Sequence, residues 1–336
     1  MEKIDFVVTW VDGSDPKWQE KKNEVLVEQG KAPIAINIDS RNIRYRDLDC
    51  LKYWFRAVDK FAPWVNKVYF VTSGQKPDWL NTNYQKLVCI NHSQYMPRDV
   101  LPTFNSNAIE ACMHKIPGLS EQFVYFNDDM YLINPVKQED FFKGGLPCDT
   151  MSFHPIEPKN DDKKFYIKLC NDIEIINKHF NFNEFKKREF WNCVSFKQGK
   201  HILVTIALMS LCSFRGFYTY HLPQAYLKQT FDKVWKEEPE ILNKTMSYRF
   251  RENEHSVNHW LFQYWQFAEG CYMQRNSNFG TYINIGEPGI SKLLFSKKYK
   301  TLCINDSANV TDFELAKQTL IDLFEIKYPD KSPFEL

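Results

Sequence analysis

The chain has 336 residues, enough for one large α/β domain or two smaller ones. Its 43 Lys+Arg against 42 Asp+Glu leave no global field, which argues against a nucleic-acid partner. Nine cysteines without a C-x-x-C pair argue against structural zinc and fit reduced thiols in a cytosolic protein. The 27 Phe, 17 Tyr and 9 Trp supply a large core and suit stacking against sugars or bases.

In chain order, residues 4–11 read as a first, central strand. It stops on Asp12-Gly13-Ser14-Asp15-Pro16. Asp-Gly is turn chemistry, and Pro16 after Ser14 or Asp15 opens a helix. A strand-turn-helix unit of this kind can set backbone N–H groups and carboxylates beside a nucleotide. Residues 39–46 are polar, and residues 47–61 carry Leu48, Leu51, Trp54, Phe55 and Val58 at helical spacing. Arg41, Arg44 and Arg46 before that helix oppose its dipole, so either phosphate contact or simple solvation accounts for them. Residues 67–73 and 86–91 read as strands, with a helix containing Trp79 and Leu80 between them. A further helix runs from the Thr103–Glu110 stretch to about Ile116.

Residues 122–133 organise the rest. An apolar run, Phe123 to Phe126, has the content of a buried strand and then stops on Asn127-Asp128-Asp129. Adjacent carboxylates at such a point are costly without a positive partner. In open α/β sheets ligands bind beyond the carboxyl ends of the strands, and a hard divalent cation carrying phosphates would suit the doublet. Strands alternating with helices imply a mainly parallel sheet covered on both faces.

After Pro135 the pattern becomes mostly helical: residues 161–180, 182–191, 202–212 and 252–268 read as helices. The run from residue 202 to 214 is too short for a membrane span and reads as a buried helix. Residues 218–224 are extended and lead into a helix opened by Pro223. A late strand at 300–306 precedes a terminal helix at about 311–326. This gives one domain over 1–336, with an α/β part at 1–150 and a mostly helical part at 151–336. No secretory pattern precedes the first strand, which fits a cytoplasmic site of action. His221, at a strand-to-helix junction, has the chemistry of a general base, and Arg249 or Arg251 that of a phosphate-binding cation; a structural histidine and surface arginines are the plain alternatives. No P-loop, Gly-x-Gly-x-x-Gly fingerprint or Gly-x-Ser-x-Gly elbow is present.

Several motifs in order resemble the Stealth family of polysaccharide phosphotransferases. Asp5 to Asp15 is similar to its first conserved region. Arg46-Asp47, Pro102 to Glu110 and Phe126 to Asp129 are similar to its second, Tyr220-His221-Leu222-Pro223 to its later histidine, and Arg251 to His255 to its arginine-led fourth region. Asn107 and His255 depart from the family's usual histidine and aspartate.

The resemblance implies a Rossmann-like, GT-A-like sheet and transfer of a sugar-1-phosphate from a nucleotide diphosphate sugar, commonly a UDP-sugar, to a glycan hydroxyl. It implies Mg²⁺ or Mn²⁺ on Asp128 and Asp129, with His221, Arg251 and Asp129 catalytic. Trp10, Val11, Asp12, Gly13, Asp15, Arg46, Asn105 and Ser106 would bind the nucleotide sugar. A lipid-linked acceptor would bring the chain to the inner face of the membrane. A nucleotide-sugar glycosyltransferase releasing the diphosphate, and a non-catalytic carbohydrate-binding protein, are the alternatives.

Overall fold

The computed structural model describes residues 2–31, 45–157, 163–251, 254–307 and 310–336. Arg41 and Arg44 lie outside them. The first half runs β1 (Ile4–Thr9), α1 (Pro16–Glu28), α2 (Leu51–Phe61), β2 (Val68–Thr72), β3 (Leu87–Asn91), α3 (Ser106–Ala111), β4 (Gln122–Asn127), β5 (Met130–Leu132), β6 (Phe142–Lys143) and β7 (Leu146–Asp149). The second half runs α4 (Lys163–His179), α5 (Phe182–Arg188), α6 (Phe190–Cys193), α7 (Ile202–Leu208), β8 (Gln224–Leu227), α8 (Lys228–Glu237), α9 (Pro239–Ser247), α10 (Trp260–Glu269), β9 (Met273–Gln274), β10 (Gly280–Asn284), α11 (Ile290–Leu294), β11 (Thr301–Asn305) and α12 (Phe313–Lys327).

The main sheet has the order β3-β2-β1-β4-β8. Its first four strands are parallel and β8 is antiparallel to β4. This is the mainly parallel, Rossmann-like arrangement expected. The register aligns the carboxyl ends: Thr9 pairs with Val71 and Asn127, and Thr72 with Asn91. All the polar strand ends therefore open on one edge.

Period-two alternation divides the core. Phe6, Val8, Phe70, Val124 and Phe126 face α2, α12 and a small sheet of order β10-β11-β5. Val7, Tyr69, Val71, Phe123 and Tyr125 face the helical layer that includes α3, α4, α8 and α10. Helix α1 begins where Asp15 accepts the Lys17 amide at 2.9 Å, with Pro16 next. Helix α2 buries Leu51, Tyr53, Trp54, Phe55 and Val58, a broad apolar stripe that fixes it on the sheet.

Four expectations are corrected. The link between β2 and β3 is not helical; Leu80 instead bridges to Glu335 of the C-terminal tail, which ties up its backbone. Pro223 is followed by strand β8, because the open edge of β4 offers a ladder there. The helix expected from residue 252 begins at Trp260: residues 256–259 are buried against α4 and α9 in irregular backbone, with Asn171 and Thr245 bonding to Ser256 and Val257. The apolar run from residue 202 is not a buried helix. In α7 only Thr205 is buried, and Leu203 is 75% exposed.

Candidate active site

A cleft of about 370 Å³ lies over the carboxyl ends of β1 and β4. Strand β4 stays apolar through Phe126 and releases Asn127, Asp128 and Asp129 at the cleft floor before β5 resumes. The Tyr125 hydroxyl supports this turn from below. It lies 2.5 Å from Asn127 Oδ1, 3.1 Å from Glu110 Oε1 and 3.2 Å from Thr9 Oγ1.

The floor is acidic beyond the doublet. Asp47 lines the same cleft, held by the Trp10 indole N–H donating to Oδ2 at 2.9 Å and the Asp49 amide donating to Oδ1 at 2.9 Å. Burial pushes the Asp47 carboxyl up to about 6 despite both bonds. Burial, then the neighbouring Asp129 and Asp47, push Asp128 well above the ordinary carboxylate range. Glu110 is also raised by burial, partly offset by Arg251. The uncompensated anionic field at this strand end has the chemistry of a cation site.

His221 reaches Asp129 from the segment before β8, with Nε2 at 3.3 Å from Oδ2. Burial lowers its basicity, but the Asp129 charge and hydrogen bond outweigh burial and raise it. Asp129 Oδ1 is buried and has no hydrogen-bond partner among the described residues. Asp129, His221 and Cys303 of β11 bring one donor atom each within 4.8 Å of one another, a possible Asp/His/Cys site. The Cys303 thiol is raised, first by burial and then by Asp129, so it stays protonated and is a poor ligand. The carboxylate oxygens of Asp128 and Asp129 are hard donors of the kind that suits a hard cation.

The positive side of the cleft is built by Arg251 and Arg46. Arg251 Nη2 donates to Ser106 Oγ at 2.6 Å, and the rest of its guanidinium is exposed to the opening. Arg46 is committed: it forks onto Asp306 at 2.7 and 2.6 Å and stacks 4.0 Å over Phe313. It fastens the start of the α2 segment to the loop after β11.

Of the residues named from the sequence, Trp10, Val11, Arg46, Ser106, Asp128, Asp129, His221 and Arg251 line this cleft. Asp12, Gly13, Asp15 and Asn105 do not. Asp12 caps its own turn, accepting from the Ser14 amide at 2.8 Å and hydroxyl at 2.5 Å. Asp15 caps α1 and accepts from Gln75 at 3.0 Å. Gly13 is needed for close approach, since a Cβ there would lie 2.0 Å from the Tyr45 carbonyl oxygen. Asn105 is fully buried, caps α3 and donates to the Tyr248 carbonyl at 3.0 Å. Asn107 is buried, while His255 is exposed and lines no part of the cleft. Sequence reasoning missed Asp47, Glu110 and Asp306 as cleft-lining groups and Cys303 as a neighbour of Asp129. Only Asp47 left a signal, as an acid beside the arginine run.

An acidic strand-end floor with a histidine and an arginine at its rim defines a group-transferring α/β enzyme. Comparison with known proteins makes this specific. Stealth protein conserved region 1 matches residues 2–26, and conserved region 2 matches residues 44–148. Capsular polysaccharide phosphotransferase WcwK of Streptococcus pneumoniae is 44% identical over 100% of this chain and 98% of its own length. Receptor polysaccharide phosphotransferase WefC of Streptococcus oralis is 43% identical over 100% of both. Exopolysaccharide phosphotransferase cps2G of Lactiplantibacillus plantarum is 39% identical over 99% and 96%. Among solved structures, the galactosyltransferase LgtC aligns over 96% of this chain and 95% of its own at 9% identity, with a TM-score of 0.39. The chain belongs to the Stealth family of polysaccharide phosphotransferases.

Proposed function

We propose that this enzyme transfers a sugar-1-phosphate from a nucleotide diphosphate sugar to a hydroxyl of a growing capsular or cell-wall glycan. The observation that carries the reading is the Asp128–Asp129 pair at the end of β4, with Asp129 Oδ1 buried and unpartnered and His221 held against Oδ2. Asp128 and Asp129 would hold Mg²⁺ or Mn²⁺. When bound, that cation would neutralise diphosphate charge and offset the Asp129 field that raises the basicity of His221.

The bond from the acceptor oxygen to the sugar-proximal phosphorus forms, and the bond from that phosphorus to the bridging oxygen breaks. A nucleoside monophosphate leaves, the glycan keeps a phosphodiester, and His221 takes the acceptor proton. Arg251, oriented by Ser106, braces the phosphoryl oxygens with its remaining N–H groups. Trp10 and Val11 border the nucleotide, and the Trp10 indole keeps Asp47 in place. Positioning and electrostatics carry most of the rate in such transfers. A lipid-linked glycan is the acceptor form that would place this chemistry at a membrane surface.

The test is incubation with a panel of nucleotide sugars, Mg²⁺ and a glycan acceptor, with the released nucleotide identified by mass. A monophosphate supports phosphotransfer; a diphosphate means glycosyl transfer. Asp129→Asn and His221→Ala should each lose roughly two or more orders of magnitude in rate with folding intact. Near-normal turnover in both would overturn the assignment.

A further inference from the structure

Helices α5 to α7 form a compact unit whose outer side is apolar. Phe190 is 45% exposed, Trp191 81%, Phe196 91%, Leu203 75% and Ile206 46%. On soluble surfaces large apolar side chains are scattered; here they fall within one short stretch of chain. The unit is well fastened on its inner side, so the exposure is not looseness. Phe182, Phe185 and Cys193 are buried in the helical core. Gln198 donates to the Asn192 and Cys193 carbonyls at 2.7 and 2.9 Å, and Thr205 donates to Gln198 at 2.5 Å. Lys186 ties α5 to the end of α7, donating to the Met209 and Leu211 carbonyls at 2.9 and 2.7 Å. With Thr205 facing inward, Leu203, Ile206 and Ala207 stand on the opposite side of α7, at helical spacing.

The charge around this face is mostly of one sign: Glu184 at the start of α5 is its exposed carboxylate among the described residues of α5 to α7. From Phe190 to Phe231 the chain contains no aspartate or glutamate. Lys187, Lys197 and Lys200 are exposed beside the apolar side chains. The neighbouring Glu189 is buried and taken up by Arg188 at 2.9 Å and Asn192 at 2.9 Å. Aromatic and aliphatic groups rimmed by lysines, on short helices, are the composition of a surface that lies in the headgroup region of an anionic bilayer. No helix among the described residues is long and apolar enough to cross a membrane, so the contact is one of lying on, not spanning.

The face is also joined to the cleft. His201, just before α7, packs tilted against Tyr218 with ring centroids 4.0 Å apart, and Tyr218 meets Tyr220 edge-on at 4.6 Å, next to His221. We propose that the α5–α7 unit is a membrane-docking face that seats the enzyme on anionic lipid, with the aromatic row from His201 to Tyr220 leading from the lipid surface to His221. The link to His221 rests on the phosphotransfer reading; the docking itself does not.

The experiment is cosedimentation of the full chain with vesicles of phosphatidylcholine alone or mixed with phosphatidylglycerol. Binding is expected only to the anionic vesicles and should weaken as salt is raised. The triple change Trp191→Ser, Phe196→Ser and Leu203→Ser should weaken it about tenfold or more, and Lys187→Glu with Lys200→Glu should do likewise. Turnover of a water-soluble acceptor should be unchanged in both. Hydrogen exchange on the wild type provides a readout free of any variant: anionic vesicles should protect peptides across residues 190–211. The proposal is overturned if the wild type ignores anionic vesicles, if the triple variant binds them as well as the wild type, if residues 190–211 gain no protection, or if sedimentation equilibrium shows a dimer that the triple variant dissolves. No donor or acceptor enters the vesicle assay, so its failure would leave the phosphotransfer reading standing.

Discussion

Replacing Asp47 by Asn should stabilise the metal-free protein at neutral pH, against the usual effect of removing a partly buried, hydrogen-bonded side chain. The Asp47 carboxyl is raised from 3.8 to about 6 by burial beside other acids. Each pKa unit is about 1.4 kcal/mol, so the charged form costs the fold about 3 kcal/mol above pH 6, an upper bound because the side chain keeps some exposure. The sign follows from the raised value. The native state holds the proton more tightly, so Asp47 contributes its full stability below 3.8, and that contribution is lost as pH rises through about 6. An asparagine escapes this loss. It also surrenders one acceptor, since the Trp10 and Asp49 N–H groups both donate to the carboxylate, at about 1 kcal/mol.

The net expectation is a gain of about 2 kcal/mol near neutral pH, turning into a loss of about 1 kcal/mol near pH 4. Urea midpoints of both proteins in chelator, at the two pH values, measure it. Mg²⁺ or Mn²⁺ should then raise the melting temperature of the wild type more than that of the variant, because the ion offsets a buried negative charge the variant lacks. An equal destabilisation at both pH values would refute the claim that burial in this cleft holds the Asp47 carboxyl above its ordinary range.

Arg251→Ala should lower kcat/KM by roughly two orders of magnitude, with Arg251→Lys recovering only part, because an ammonium cannot brace phosphoryl oxygens while keeping the Ser106 bond in one rigid fork; initial rates decide it. His92 is buried and burial lowers its pKa to about 4, so the unfolded chain takes up its proton first. Stability should therefore fall by up to about 3 kcal/mol as pH drops from 6.5 through 4, and His92→Gln should flatten that slope in urea melts. Glu335→Ala should cost about 1.5–3 kcal/mol in urea unfolding, since it strips the forked partner, at 2.9 and 2.8 Å, from the buried Arg56 guanidinium, which keeps Glu325 at 3.2 Å and the Tyr328 carbonyl at 2.8 Å.

Much of the frame was legible in the residues. Strands β1 to β4 follow from short β-branched and aromatic runs that end in polar groups. Helix α1 follows from Asp15-Pro16, and α12 from a long periodic segment. Two- and three-residue strands such as β5 and β9 leave no period to read. At α7, hydrophobicity was taken as burial. A surface that meets something other than water carries the same residues as a core.

By itself the sequence determined which strand ends carry the acids and which turn opens α1, because strand and helix periods and cap chemistry act over a few neighbouring residues. Only the tertiary structure decided that Asp47 and Cys303 join Asp128 and Asp129, that His221 reaches Asp129, and that Asn105 and Asp15 stand clear of the cleft. Those outcomes depend on how β8 and β11 pack beside the end of β4, and contacts between segments so far apart in the chain are set by the shared core and not by any local pattern.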